Sequence, residues 1–296
     1  MTVRVGFLGL GEIGAQMALN IAAAGFPIQV YDTNLRATQA ILLDGLPSIA
    51  TDAATLAAAS DVVFAMLPSE IEVADAALGK TGVVNGMKPG GVFVDLSCSA
   101  PAAAQTIARR LSAQGIDMLE AGVLGNRNDA RARRLRLLVG GDAAAFGRAE
   151  PVFKAMAAEV HHVGGFGTGQ VAKLLATALE AAGLTMALEG LIAAKRFGLK
   201  PEEVLAGATV ALGPSAVNTL VGDQVLAGKF DSGRALRFIV RDLDAATKLA
   251  QSVDAPVLLL AQLRETWATA SRQLGSGDDQ TKIVRWLEQV AKTSLR

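Results

Sequence analysis

The sequence predicts an α/β protein in which an N-terminal Rossmann-type, doubly wound sheet is followed by a long helix and an all-α C-terminal domain. Three observations support this fold class. Over residues 1–165, short and nearly continuous apolar runs alternate with alanine-rich helical stretches, which indicates a sheet covered by helices on both faces. A glycine-rich turn follows the first of these runs. After residue 165 the segments keep helical spacing only.

Seven apolar runs are the predicted strands of the sheet. They are residues 3–10, 28–32, 61–67, 91–97, 116–123, 135–141 and 160–165. The segment 167–199 is predicted to form one long helix, apolar on nearly all sides, which is typical of a helix buried between others. We therefore place a domain boundary near residue 165, with a sheet domain over residues 1–165 and an all-α domain over residues 166–296.

Composition and charge argue against several classes of protein. Apolar residues make up 51% of the chain, so it can bury a large core. The 28 basic and 28 acidic residues balance, which argues against nucleic acid or an anionic membrane as a partner. One cysteine, Cys98, and two histidines, His161 and His162, argue against a disulfide framework and against a metal site. The N-terminal segment lacks the layout of a signal peptide, and we expect a soluble, cytoplasmic protein.

The turn within residues 6–25 predicts a dinucleotide-binding site. Gly9, Gly11 and Gly14 have the spacing G-x-G-x-x-G between a strand and a helix. The first glycine allows a tight turn, the second lets the backbone approach a pyrophosphate, and the third lets the helix pack on the strand. The N-terminus of the helix offers N–H groups to the phosphates. The first domain, residues 1–165, is thus predicted to bind a dinucleotide.

Asp32 bears on the choice between NAD and NADP. It ends the second strand, 18 positions after Gly14, where a carboxylate accepts hydrogen bonds from the adenosine ribose. The same charge repels the 2′-phosphate of NADP, so NAD is favoured. Arg36 could pair with that phosphate, and NADP therefore stays possible. A turn residue at the end of a strand is the alternative interpretation of Asp32.

Lys173 is the candidate for proton transfer. It lies early in the long apolar helix, after the segment GFGTG (165–169), where a lysine loses hydration unless it has a partner or a role. Lysine can donate and accept a proton in catalysis. The alternative is a lysine in the first turn of a helix whose ammonium group extends to solvent.

Together the motifs resemble the β-hydroxyacid dehydrogenase family, whose members are 3-hydroxyisobutyrate dehydrogenase-like with a 6-phosphogluconate dehydrogenase-like cofactor domain. The resemblance extends along nearly the whole chain. It rests on GFLGLGEIGAQMALNIAAAG (6–25), MLP (66–68), GGVFVDLSCSAP (90–101), GFGTGQVAKLL (165–175), LRFIVRDLDAATKLA (236–250) and GSGDD (275–279). The segment 165–175 is similar to the start of the family's catalytic helix, and Lys173 falls on its catalytic lysine.

The resemblance implies an NAD(P)-dependent oxidoreductase that acts on CH–OH groups. Hydride would pass between the nicotinamide and a small β-hydroxy acid, or its aldehyde or keto form, with Lys173 as general acid and base. It also implies a small anionic substrate and a homodimer or homotetramer, with the substrate and dimerisation surfaces on the all-α domain, residues 166–296. The residues that it assigns to the cofactor are Gly9, Gly11, Glu12, Ile13, Gly14, Asp32, Leu67, Pro68, Ser97 and Arg241. Ser99 is a further candidate for contact with the nicotinamide.

The substrate loop departs from the family pattern. The family's Asp-Ala-Pro-Val-Ser-Gly-Gly corresponds here to residues 120–126, so Leu124 replaces a serine that helps to hold a carboxylate. A more apolar substrate is an alternative interpretation of Leu124. Thr177 stands near the family's asparagine position, on the same helix face as Lys173, and Arg241 replaces a lysine. The residues predicted to bind substrate are Leu124, Gly125, Asn126, Arg127 and Thr177.

Five arginines lie between residues 127 and 136. Arg127 follows Leu124 by three residues and is therefore close enough to the predicted substrate pocket to bind an anion bidentately, and a solvated surface is an equal alternative for it. A solvated loop or a contact with a partner subunit is the preferred interpretation for the other four, which are Arg131, Arg133, Arg134 and Arg136.

Two other functions stay open at this point. One is an imine reductase-like enzyme, against which the retained Lys173 counts. The other is a cofactor-binding protein whose catalysis is impaired by the changes at Leu124 and Thr177.

Overall fold

The computed structural model of the protein describes residues 2–43, 48–98 and 101–295. The chain divides into two compact units, Met1–Lys173 and Leu174–Arg296. The division lies inside a long helix, a short distance beyond the change of composition at residue 165.

One seven-stranded sheet forms the centre of the first unit. Its strands are β1 (Val5–Leu8), β2 (Ile28–Tyr31), β3 (Val62–Ala65), β4 (Val92–Asp95), β5 (Asp117–Leu124), β6 (Arg136–Gly140) and β7 (Glu159–Gly164). Each overlaps one of the seven apolar runs, which confirms the predicted fold class. The order is β2-β1-β3-β4-β5-β6-β7. The first five strands are parallel, whereas β6 is antiparallel to β5, and β7 is parallel to β6.

The strand order reverses beside β1, because β2 lies on one side of it and β3 on the other. Dinucleotides bind beyond the carboxyl ends of the strands at such a reversal. We call this side of the sheet, formed by the carboxyl ends of β1 to β5, the carboxyl edge. The glycine turn that follows β1 lies there.

Helices cover both faces of the sheet. They are α1 (Gly14–Ala23), α2 (Leu35–Leu43), α3 (Ala53–Ala58), α4 (Glu70–Leu78), α5 (Pro101–Ser112), α6 (Arg127–Arg131) and α7 (Ala143–Met156), with a 3₁₀ turn at Val83–Asn85. Val62 and Phe64 of β3 enter one apolar core with Met17, whereas Val63 enters a second core with Leu56. Because alternate side chains enter opposite cores, the buried strands are apolar throughout.

The edge strand β7 is an exception to this burial. Glu159, His161 and His162 are exposed, because an edge strand has a neighbouring strand on one side only.

Helices build the second unit. The helix α8 (Thr168–Arg196) begins in the first unit and continues into the second. The others are α9 (Pro201–Leu212), α10 (Ala216–Leu220), α11 (Leu236–Ser252), α12 (Leu258–Leu274) and α13 (Ile283–Ala291), with a π-helical turn at Val221–Leu226 and a 3₁₀ turn at Gln280–Lys282. Trp267 lies in their shared apolar core, and its Nε1 donates to Thr185 Oγ1 at 3.1 Å.

One face of α8 is exposed. Leu175, Leu179 and Met186 are 59%, 65% and 68% exposed, whereas Leu184 and Leu188 are buried. The expectation that α8 is covered on nearly all sides is therefore wrong for this face, because apolar composition does not tell which side has a neighbour in the same chain. By length and composition α8 would also suffice to cross a membrane, a property that it shares with the core helices of soluble proteins.

Candidate active site

The glycine turn at the carboxyl edge has the shape that a pyrophosphate needs. Gly9 has a φ of +94°, and a Cβ on it would lie 2.3 Å from the carbonyl oxygen of Met66. A Cβ on Gly14 would lie 2.2 Å from the oxygen of Gly9. A Cβ on Gly11 would meet no atom of the described chain within 4 Å, so this position opens onto space beside the N-terminus of α1. Packing within the protein requires the first and third glycines, and the second leaves room for NAD.

The residues around the turn hold it in place. Asp32 Oδ2 accepts the N–H of Leu10 at 2.6 Å, and Oδ1 accepts the N–H of Asn34 at 2.7 Å. The carboxylate therefore ties the end of β2 to the glycine turn, and its contact with the ribose stays a prediction. Glu12 is exposed, and Ile13 is half-buried with an apolar side chain that cannot cap α1. The N-cap side chain therefore satisfies no N–H group in the first turn of α1, although the N–H of Ala15 donates to the backbone oxygen of Gly11 at 2.9 Å.

Ser97 connects the end of β4 to the end of β3. Its Oγ accepts the N–H of Leu67 at 2.9 Å and donates to the oxygen of Ala65 at 3.4 Å. Ser97 is buried, Leu67 is half-buried and Pro68 is exposed. These two hydrogen bonds occupy the hydroxyl of Ser97. Its contact with the nicotinamide stays a prediction. Ser99 lies outside the described residues.

Glu120 in β5 holds the first turn of α8. Its Oε1 accepts the N–H groups of Gly167 and Gly169 at 3.0 and 2.9 Å, and its Oε2 accepts that of Gln170 at 2.8 Å. Burial raises the pKa of this carboxyl, the three N–H groups oppose the rise, and the nearby charge of Asp95 adds to it. One carboxylate thus satisfies three of the N–H groups that a helix N-terminus leaves unpaired, which fixes α8 on the sheet.

Glycines let α8 lie directly on the sheet beside Glu120. A Cβ on Gly122 would lie 2.6 Å from the Cβ of Lys173, and a Cβ on Gly169 would lie 2.1 Å from the oxygen of Leu138. The helix therefore approaches β5 and β6 more closely than any larger residue would allow. As a result Lys173, which is 6% exposed, packs against the backbone of β5.

Gln170 joins α8 to two strands. Its Nε2 donates to the carbonyl oxygen of Ser97 and, at 3.3 Å, to that of Ala121. Sequence patterns did not select Gln170 or Glu120 as site residues. The available signals were a polar side chain in an apolar helix and an acid inside an apolar strand.

A continuous path of contacts leads from the glycine turn to the predicted catalytic lysine. Gly9 packs on the chain just after β3, where Leu67 bonds to Ser97. Ser97 in turn bonds to Gln170, which precedes Lys173 by one turn of α8. The first unit therefore brings together the turn, Ser97 and Lys173 at its carboxyl edge.

The predicted substrate loop contains a short helix. Leu124 is half-buried at the end of β5, and Gly125 has a φ of +127°, which favours glycine. Asn126 Oδ1 accepts the N–H groups two and three residues on, at 2.8 and 3.1 Å, and so caps α6. This oxygen is occupied by the cap, and binding of substrate by Asn126 stays a prediction. Arg127 is exposed at the first position of α6.

All five arginines of the segment 127–136 are exposed. Asn20 of α1 holds this segment: its Nδ2 donates to the oxygen of Ala130 at 2.8 Å, and its Oδ1 accepts from Arg133 Nε at 3.2 Å. The segment therefore packs on the helix that begins at the glycine turn.

Arg234 is the centre of a polar cluster in the second unit. Its Nη2 donates to Thr177 Oγ1 at 3.2 Å and to Asp242 Oδ2 at 3.0 Å, and its Nη1 donates to Glu180 Oε2 at 3.3 Å. Asp242, which is 1% exposed, also accepts from Arg241 Nη2 at 3.1 Å. Thr177 and Arg241 therefore belong to one cluster. Arg234 lies in the segment before α11, where no motif points to it.

Two family models match the chain. The NAD binding domain of 6-phosphogluconate dehydrogenase matches residues 4–165. The model described as NAD-binding of NADP-dependent 3-hydroxyisobutyrate dehydrogenase matches residues 167–287. Both descriptions, together with the open position at Gly11, identify a chain that binds NAD(P).

The chain is also similar along its length to several dehydrogenases and reductases. It is 29% identical over 293 residues to 2-hydroxy-3-oxopropionate reductase of Escherichia coli (strain K12), covering 99% of this chain and 100% of that protein. It is 31% identical over 275 residues to 3-hydroxyisobutyrate dehydrogenase of Pseudomonas aeruginosa, covering 89% and 91%. The structure of 3-hydroxyisobutyrate dehydrogenase of Mycobacterium tuberculosis with L-serine matches with a TM-score of 0.91 and 25% identity, covering 97% of this chain and 99% of that one.

Proposed function

The chain belongs to the β-hydroxyacid dehydrogenase family, and we propose that it interconverts a small β-hydroxy acid and its aldehyde or keto form with NAD, using Lys173 as general acid and base. Membership makes it an NAD(P)-dependent oxidoreductase that acts on CH–OH groups. The observation that supports the finer proposal is the position of Lys173. It is buried against Gly122 and connected to the glycine turn through Gln170 and Ser97.

The proposed reaction moves one hydride and one proton. The nicotinamide, when bound, supplies or takes up the hydride. During reduction the Lys173 ammonium donates its proton to the carbonyl oxygen of the substrate. During oxidation the amine takes the proton of the hydroxyl group. Because Lys173 is buried, bulk water competes little for this proton.

The substrate in this proposal carries a small anionic group that is held near the loop between β5 and α6. Leu124 offers no hydrogen-bond donor at the position where the family has a serine. We therefore assign the contact with the anionic group of the substrate to Arg127, whose planar guanidinium pairs bidentately with a carboxylate or phosphate. Its exposure at the first position of α6 leaves the guanidinium accessible to such a ligand.

The proposal extends to a cytoplasmic homodimer or homotetramer without a nucleic-acid or membrane partner. The exposed apolar face of α8, formed by Leu175, Leu179 and Met186, supports self-association, because exposed apolar patches mark interaction sites. Sedimentation at micromolar concentration measures the assembly. A monomer would contradict this part of the proposal.

A panel of small hydroxy acids, tested with NAD and with NADP, tests the function directly. Lys173→Ala should reduce turnover of the accepted substrate about a hundredfold or more, within the contribution of general acid–base catalysis. NAD affinity, measured by isothermal titration calorimetry, should stay unchanged. Lys195→Ala, in the last turn of the same helix, is the control and should retain wild-type turnover. Turnover that survives in Lys173→Ala would show that another group transfers the proton.

A cofactor-binding protein with impaired catalysis is the second candidate. It is favoured by Leu124 and by Thr177, whose hydroxyl already bonds to Arg234. NAD binding without turnover of any compound in the panel would support it. Turnover of cyclic imines with NADPH would instead support an imine reductase-like enzyme.

A further inference from the structure

The side-chain amide of Gln170 has a fixed orientation. Its Nε2 faces the carbonyl oxygens of Ser97 and Ala121, and exchanging the amide nitrogen and oxygen would set Oε1 against two acceptors. Oε1 must therefore point away from both. The residue is 4% exposed, and within residues 2–43, 48–98 and 101–295 no group donates to this oxygen.

A buried acceptor without a donor is uncommon in native proteins, because it has lost its hydrogen bonds to water without replacement. Gln170 lies in the path of contacts between the glycine turn and Lys173, and not in a core remote from the site. A donor that a bound cofactor supplies at that place would restore the missing hydrogen bond.

The position of Gln170 in the sheet selects the part of the dinucleotide that reaches it. Asp32 ends β2, on one side of the glycine turn, and Ser97 follows β4, on the other side. With its pyrophosphate at the turn, a dinucleotide extends its adenosine towards β2 and its nicotinamide towards β3 and β4. The carboxamide is the group of the nicotinamide that carries N–H donors.

We propose that Gln170 Oε1 accepts a hydrogen bond from the carboxamide NH₂ group of the nicotinamide. The proposal rests on the NAD(P) cofactor of the family and is independent of the substrate and of the role of Lys173. Gln170 and Lys173 are three residues apart and hence neighbours on the surface of α8. Holding the carboxamide there fixes which face of the nicotinamide ring is turned towards the lysine.

Three dinucleotides test this bond in the unaltered protein by isothermal titration calorimetry. They are NAD, its thionicotinamide analogue, which keeps the NH₂ group, and its 3-acetylpyridine analogue, which has a methyl group in that place. We expect the first two to bind alike and the acetylpyridine analogue to bind about threefold to tenfold more weakly, as for loss of a neutral hydrogen bond. Equal affinity of NAD and the acetylpyridine analogue would overturn the proposal.

Gln170→Met provides the second measurement, because methionine has a similar length and no amide oxygen. Loss of the bonds from Nε2 should weaken both dinucleotides alike, so the readout is the ratio of NAD affinity to acetylpyridine analogue affinity. We expect this ratio to fall to about one. A ratio that keeps its wild-type value refutes the bond.

Neither measurement needs turnover, so each remains informative if the proposed reaction of Lys173 is wrong. Thermal unfolding of Gln170→Met without cofactor checks that the variant is folded. If the variant does not fold, the titrations of the wild-type protein with the three dinucleotides are sufficient to test the proposed hydrogen bond.

Discussion

The Cβ of Lys173 lies against the backbone of Gly122, so closely that a Cβ on Gly122 would be 2.6 Å from it. Gly122→Ala must therefore displace the start of α8 from β5. We expect a loss of about 1–3 kcal/mol in the free energy of unfolding, as for other overpacked sites. Turnover should fall about a hundredfold, because catalysis is sensitive to small displacements of a reacting group. Urea unfolding and initial rates measure the two effects.

Gly147→Ala in α7 is the matched control for this change. A Cβ there meets no atom of the described chain within 4 Å. Turnover should remain at the wild-type level, and stability should rise by up to about 1 kcal/mol, because alanine favours helix more than glycine. Similar losses of turnover in both variants would contradict a specific contact between Gly122 and Lys173.

Gly11 and Gly14 should separate cofactor binding from folding. Gly11→Ala adds a methyl group in open space, so the free protein should keep its stability within about 0.5 kcal/mol while NAD binds about tenfold more weakly. Gly14→Ala sets a Cβ 2.2 Å from the oxygen of Gly9 and should destabilise the free protein by about 1–3 kcal/mol. Thermal unfolding and calorimetric titration distinguish the two. Equal destabilisation by both variants would mean that the space beside Gly11 is not open.

Glu120 should make stability depend on pH in a direction that can be measured. Burial raises the pKa of its carboxyl above the value of 4.5 expected in the unfolded chain, so the folded state holds the proton more tightly. This contribution to stability is complete below pH 4.5 and is lost as the pH rises through the folded pKa. In Glu120→Gln the side chain at this position is an amide and does not titrate. The free energy of unfolding of the wild type relative to Glu120→Gln should therefore fall as the pH rises from 4.5.

Urea unfolding of the two proteins over a series of pH values measures this difference. The pKa values of the surface carboxyls of Asp52, Asp61 and Asp244 are lowered. Their contributions to the pH dependence of stability are the same in both proteins and therefore cancel. A difference that grows with pH would show that the three N–H groups outweigh the effect of burial.

Arg234 should matter more for stability than Arg241, although both bond to Asp242. Arg234→Met leaves the 1% exposed carboxylate with one of its two arginines and should cost about 2–4 kcal/mol, close to the loss from a broken buried ion pair. Arg241 is partly exposed, and Arg241→Met should cost about 1 kcal/mol or less. Denaturant unfolding measures both losses. Equal losses would contradict the central position of Arg234 in the cluster.

The strands, the glycine turn and the long helix could be predicted from local sequence. A run such as Val62–Ala65 is buried on both faces, so its composition alone identifies it. The turn needs Gly9 and Gly14 at positions where a side chain would collide with backbone, and these glycines stand at a fixed spacing. At Gly14, and for the φ of +94° at Gly9, the physical requirement acts within a few residues of chain, whereas the contact of Gly9 with Met66 does not.

The roles of Glu120 and Gln170 could not be predicted in this way. Glu120 bonds to N–H groups 47 to 50 residues away, and Gln170 bonds to Ser97, 73 residues away. Their partners are set by how α8 packs on β5. Asn126 is different, because Asp129 three residues later forms a capping box with it, and that signal was present in the sequence.

The antiparallel return of β6 determines where the arginine-rich segment lies. Because the chain reverses after β5, the segment 127–136 and its five arginines lie at the same edge of the sheet as the glycine turn. Five exposed guanidinium groups, of which that of Arg134 is paired with Asp129, are thus gathered there in a chain with a formal net charge of zero. The electrostatic field of such a group of charges speeds the diffusional encounter with anions, and added salt screens it. We therefore expect a local attraction for anionic dinucleotides, weakened by salt, although the chain is not basic as a whole.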